Sequence, residues 1–189
     1  RPRLTLGRVA ATFSAAVSIS SSRPLVLVAN AAGVLAPGLR ALRDAVAEFA
    51  EVWVVAPEIE RSAASHAITL HRPVRLREIA QHTYAVDGTP VDCVYVALHG
   101  VLPRRPDALL VGVNPGANLS SDVFYSGTVG AAREGALRGV PSLAVSLEKG
   151  TAFGAAAEIA SRLIRVLLAA QNGANGGNGK TAPLYNVNV

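Results

Sequence analysis

Four short apolar runs restrict the fold of this chain more than any other feature. They are PLVLVAN at 24–30, VWVVAP at 52–57, DALLVGVN at 107–114 and PSLAVSL at 141–147. Each is rich in valine and leucine and lacks the polar alternation of a strand with one wet face, so each reads as a strand covered on both sides. Helical segments separate them. Residues 37–50 place Pro37 at the first helical position, where its missing N–H costs nothing. Residues 89–102 offer Thr89 as an N-cap followed by Pro90. Residues 126–139 end on Gly139, and 152–170 form an amphipathic helix. Strands alternating with helices give a three-layer α/β fold, a mainly parallel sheet with helices on both faces. The strand at 24–30 is expected at its centre. AITLHRPVRLREI at 67–79 and TYAVDG at 83–88 read as extended segments outside that sheet, and LYNVNV at 184–189 as one more strand.

Composition narrows the function classes. Half of the 189 residues are apolar, enough for one domain with a real core. The formal charge is +5, but Arg1, Arg3, Arg8 and Arg23 all fall within residues 1–23, which contain no acid; the rest of the chain carries only +1. The basic balance is therefore no argument for a nucleic-acid duplex as partner. No apolar run reaches the ~18–20 residues of a membrane span. The lone Cys93 cannot form an internal disulfide, which points to a reducing, cytoplasmic setting. Residues 1–23, rich in Arg, Ser and Ala, read as a leader: an organellar transit peptide or a disordered extension. The absence of methionine suggests a processed, trimmed or fragmentary chain. QNGANGGNGK at 171–180 reads as a flexible linker.

In parallel sheets, ligands collect at the carboxyl ends of strands. Three such loops stand out: NAAGVLAP after the first strand, PEIERSAASHA after the second, and VNPGANLSSDVFYSGTVG after the third. In the last, Asn114 and Asn118 flank a Pro-Gly turn, and Ser126, Gly127 and Thr128 open a helix. A helix N-terminus presents unpaired N–H groups and a partial positive charge, so it suits a phosphate group; plain N-capping by Ser126 is the alternative. Neither the Walker lysine motif nor G-x-G-x-x-G follows a strand, so no standard nucleotide fingerprint applies.

Taken in order, NAAGVLAPG, APEIERSAAS, YAVDGTPVDCV, GVNPGANLSSD and YSGTVGAAREG resemble the SurE family, metal-dependent 5′/3′-nucleotidases also called stationary-phase survival proteins. The resemblance runs from about residue 24 to 189. It implies a Rossmann-like sheet, hydrolysis of nucleoside monophosphates and assembly as a dimer or larger oligomer. It also implies one divalent metal (Mg²⁺, Mn²⁺ or Ca²⁺) held by two aspartates of the first turn with a serine and an asparagine from the next loops. Carried over by motif, the serine is Ser62 and the asparagine Asn114, while both aspartates fall on Ala31 and Ala32. Asn118, Ser126, Gly127 and Thr128 fall on the phosphate side.

Two neutral oxygens are poor ligands for a hard cation, so weak or absent metal binding and impaired or lost turnover are expected. A catalytically silent phosphate or nucleotide binder, or a dimer partner of an active relative, is the alternative. Natural loss, deliberate double replacement, or restoration of the metal by another residue are three open explanations of the alanine pair. Asp122, Glu58, Glu60 and His66 lie in the same loops, as solvated loop residues or as candidates for restoration. Asp87 and Asp92 read as turn and helix-start residues, Cys93 and Trp53 as core, and His71, His82 and His99 as scattered. Tyr125 fits either packing or stacking on a nucleobase.

Overall fold

The computed structural model describes residues 23–171 and 182–189. The leader, but for Arg23, and the linker reading at 171–180, but for the backbone of Gln171, lie outside the described residues. Seven strands form one sheet in the order β3-β4-β2-β1-β5-β6-β7. They are β1 (Leu25–Ala29), β2 (Glu51–Pro57), β3 (Leu76–Ala80), β4 (Thr83–Val86), β5 (Ala108–Pro115), β6 (Ser142–Leu147) and β7 (Leu184–Asn188). The helices are α1 (Pro37–Ala47), α2 (Pro90–Val96), α3 (Asp122–Tyr125), α4 (Gly127–Leu137) and α5 (Phe153–Gln171), and α2 runs on into a π-helical turn at Ala97–Val101.

The alternation of side chains along β1 divides the core in two. Val26 and Val28 pack under α1 and α5 with Leu42, Val46, Ala160 and Ile164. Leu27 and Ala29 face α2 and α4 with Cys93, Val94, Ala131 and Ala132. All five β1 residues are buried, and the strand is fourth of seven, the central position its sequence implies. Thr89 caps α2 in a reciprocal capping box with Asp92, and Ser126 caps α4 by accepting the Val129 N–H. No helix among the described residues is long and apolar enough to cross a membrane.

The expectation for residues 67–88 needs correction. Residues 67–75 form no strand, but 76–80 and 83–86 belong to the sheet. β4 pairs parallel with β2, Val54 opposite Thr83 through Pro57 opposite Val86, and β3 pairs antiparallel with β4 as the edge strand. The physical reason lies on β2, whose outer edge would otherwise expose unpaired backbone. Trp53 fixes the register: its ring stacks on His82 at 4.1 Å and on Tyr84 at 6.0 Å, and its indole N–H donates to Glu51 at 2.8 Å.

Strand order reverses beside β1. The chain leaves β1 for β2 on one side, and β5 and β6 lie on the other. The loops after β1 and β5 therefore part company and leave a crevice at their carboxyl ends.

Candidate functional site

That crevice is a cavity of about 300 Å³. β1 brings Ala31 and Ala32 to its floor, the loop after β2 brings Glu60 and Ser62, β5 brings Asn114, and the segment beyond it brings Asn118, Asp122, Tyr125, Ser126 and Gly127. Residues 31 and 127 of the sequence thus meet: a Cβ built on Gly127 would lie 3.4 Å from Ala31 Cβ. The first turn is held by Asn30, whose side chain both donates to Gly33 O and accepts from Gly33 N.

The polar groups differ in how free they are. Asn114 Nδ2 donates to Gly116 O at 2.8 Å, and its Oδ1 accepts a long 3.4 Å contact from Thr128 Oγ1. Thr128 is buried and does not line the cavity. Asn118 Nδ2 is committed to Ser146 Oγ at 2.7 Å, and its backbone is tied to Asn188 and Asn186 of β7. Ser126 Oγ serves the cap. The N–H groups of Gly127 and Thr128, first in α4, have no intrahelical acceptor and supply its anion-attracting end.

Of the four candidates for restoring a metal site, Glu60 and Asp122 line the cavity. Glu60 accepts the Ser62 hydroxyl at 2.5 Å. Glu58 instead pairs with Arg77 on β3, and His66 with Glu134 on α4. No group of three or more His, Cys, Asp or Glu residues suited to a metal exists among the described residues. Arg61, between Glu60 and Ser62, donates its backbone N–H to Ala31 O at 2.8 Å, yet its buried Nε has no hydrogen-bond partner. The oxygen donors lining the cavity are the carboxylates of Glu60 and Asp122 and the neutral side chains of Ser62, Asn114 and Asn118, while the first turn, at Ala31 and Ala32, offers no side-chain oxygen.

Asp92 and Asp87 hold structural posts. Asp92 accepts from Thr69 and Thr89. Asp87 accepts the Arg75 backbone N–H and pairs with Arg72; that backbone hydrogen bond leads in holding its carboxyl below the usual range. Cys93 is fully buried, and burial, with Asp92 adding to it, pushes the thiol well up. It is a core residue, not a nucleophile.

Glu134 escaped the sequence reading. Its buried carboxylate meets His66 Nε2 at 2.9 Å through Oε2 and accepts from Arg138 Nε at 2.8 Å through Oε1. Burial pushes this carboxyl up, but the hydrogen bonds from His66 and Arg138 outweigh it and hold the group below its ordinary value. The signal was its spacing: Gly127, Gly130 and Glu134 lie at i, i+3 and i+7 of α4, one face of the helix. A depressed carboxyl stabilises the fold above the unfolded pKa of about 4.3 and ceases to do so as pH falls through the folded value. Glu134→Gln is therefore expected to cost roughly 1–3 kcal/mol near neutral pH. The gap to the parent should shrink below about pH 4. Urea unfolding across pH measures it.

Comparison with known proteins agrees with this geometry. The family model described as Survival protein SurE matches residues 26–189. The 5'-nucleotidase SurE of Sorangium cellulosum is 52% identical over 170 residues, covering 88% of this chain and 65% of that protein. The one from an Anaeromyxobacter species is 55% identical over 168 residues, covering 87% and 63%. The crystal structure of the SurE protein from Aquifex aeolicus superposes with a TM-score of 0.76 at 35% identity, covering 87% of this chain and 66% of that one. The chain thus spans just under two thirds of the length of these relatives. Its crevice between β1 and β5, the ordered loops that line it and a match running from β1 to Val189 all lead to one conclusion: the chain belongs to the SurE family.

Proposed function

We propose that this chain carries the SurE nucleotidase site in a form that holds the phosphate group of a nucleoside monophosphate, or phosphate itself, but turns substrate over very slowly or not at all. The alanine pair on the cavity floor, between Ser62 and Asn114, carries this reading. The start of α4 supports anion binding: the N–H groups of Gly127 and Thr128 have no acceptor within the helix, and Gly127 and Asn114 line the cavity. Helix-end attraction contributes ~0.3–2 kcal/mol before its hydrogen bonds are counted. The carboxylates of Glu60 and Asp122 oppose it, so the affinity is weak. When bound in relatives that keep the acidic pair, a divalent metal supplies Lewis-acid polarisation of the phosphoryl oxygen. Here the remaining groups bind and orient only. Homodimer assembly, implied by the family likeness, and a reducing, cytoplasmic setting, implied by the lone buried thiol, belong to the same proposal.

Tyr125 lines the cavity and is 65% exposed, which leaves its ring free to stack on a base. Base–aromatic stacking is worth about 1–3 kcal/mol. NMR titration tests both points. Phosphate is expected to shift the amides of residues 126–128, and a nucleoside monophosphate to bind about tenfold tighter than phosphate. Tyr125→Ala should remove most of that difference and leave phosphate unaffected. Absence of any phosphate effect at 126–128, or rapid turnover by the parent chain, would defeat the proposal.

A further inference from the structure

The loop after β2 bears Glu60 and Ser62 into the cavity, and its backbone is held in an unusual state. Ala63 and Ser65 adopt φ of +54° and +52°, left-handed values that non-glycine residues rarely take. Something must hold the loop there, and the structure records what does. Ser65 donates its N–H to Tyr125 O at 2.9 Å and its hydroxyl to Phe124 O at 2.6 Å. Thr69 and Ala67 are tied to Asp92 and Thr89 of α2. One attachment reaches a carboxylate: His66 Nε2 lies 2.9 Å from the buried Glu134 Oε2 on α4. The loop lies so close to α4 that a Cβ on Gly130 would stand 2.2 Å from Ser65 O and 3.2 Å from His66 Cα.

We propose that Glu134, acting through His66, is a positioning residue of this site: the pair clamps the Ser62 loop onto α4 and so fixes the wall that faces the α4 N-terminus across the cavity. The inference rests on the crevice being the ligand site. Glu134 is suited to the task because Arg138 engages its other oxygen, so the carboxylate stays fixed and compensated when the loop lets go. Release of His66 therefore opens the loop without leaving a buried charge alone. The left-handed residues then relax, and the wall bearing Ser62 moves away from Asn114 and Gly127.

The test uses the full chain with His66→Ala and His66→Gln. The glutamine amide nitrogen takes the place of Nε2 and still donates to Glu134, so it restores the clamp without the imidazole. Hydrogen exchange at the Ser65 amide reads the loop directly and needs no ligand. Phosphate titration reads the site, and thermal unfolding reads the global fold. In His66→Ala, Ser65 exchange is expected to quicken about tenfold. Phosphate affinity should fall about fivefold, with the Tm within about 2 °C of the parent. In His66→Gln, exchange and affinity should return towards the parent. Unchanged Ser65 exchange in His66→Ala overturns the proposal. So does equal loosening in both variants, which would mean that the imidazole fills space only. Faster exchange with undiminished phosphate affinity overturns the positioning role. If the parent itself binds no phosphate, the site reading fails, and with it the positioning role, whereas the exchange data still decide whether the clamp exists.

Discussion

Ala31→Asp combined with Ala32→Asp is expected to convert a chain without tight divalent-metal binding into one that takes up a single Mn²⁺ or Mg²⁺ per site and gains phosphatase activity. The parent offers Ser62 and Asn114 as neutral oxygens beside two methyl groups. Two carboxylates on that floor would supply the charged ligands that make dehydrating a hard cation worthwhile. Calorimetry and the Mn²⁺ electron paramagnetic resonance signal read the metal independently of catalysis. A bound metal contributes several kcal/mol to stabilising the charge of phosphoryl transfer. A gain of about 100–1,000-fold in hydrolysis is expected, since each 1.36 kcal/mol is tenfold. The result that would overturn this is a parent chain binding Mn²⁺ as tightly as the double variant. Glu60→Ala and Asp122→Ala would then show whether those two cavity carboxylates restore the site.

The sequence carried the frame of the site but not its wiring. β1, β2, β5 and β6 were legible because runs of Val, Leu and Ala buried on both faces have few other uses. The crevice was legible because ligand loops follow the carboxyl ends of such strands. β3 and β4 were misplaced because a short edge hairpin has little apolar signal of its own; what seats it is the stack of His82 and Tyr84 on Trp53, a contact between segments some 30 residues apart. Glu58 and Glu60 are two residues apart, yet only Glu60 reaches the cavity, while Glu58 turns to Arg77. No local pattern separates them. Thr128 stands at the helix start, but its side chain is buried outside the cavity lining, with its hydroxyl 3.4 Å from Asn114 Oδ1, a placement no local pattern gives. Glu134 and His66 meet across 68 positions, so only the packing of α4 against the loop reveals them.

Gly130→Ala is expected to be the most damaging single-methyl change near the site. The new Cβ would sit 2.2 Å from Ser65 O and 2.9 Å from Ser65 C, both backbone atoms that no rotamer change can move aside. Either α4 withdraws from the sheet or the loop withdraws from α4. The first option disturbs Val129, Ala131 and Ala132, which pack with Leu109, Val111 and Ala144 in the core. The second breaks the hydrogen bonds of Ser65 to α3 and the contact of His66 with Glu134. The loop is the cheaper element to move, because it carries less buried apolar surface than the helix. Overpacking of this kind costs about 1–3 kcal/mol. For a domain of this size that lowers the Tm by roughly 3–10 °C. It should also abolish detectable phosphate binding, because the Ser62 wall would no longer close the cavity. Alanine is otherwise the better helix former by about 1 kcal/mol, so propensity alone calls for a stabilised protein. Calorimetric melting decides between them: a Tm at or above that of the parent would mean that the close approach of the loop to α4 does not exist in solution.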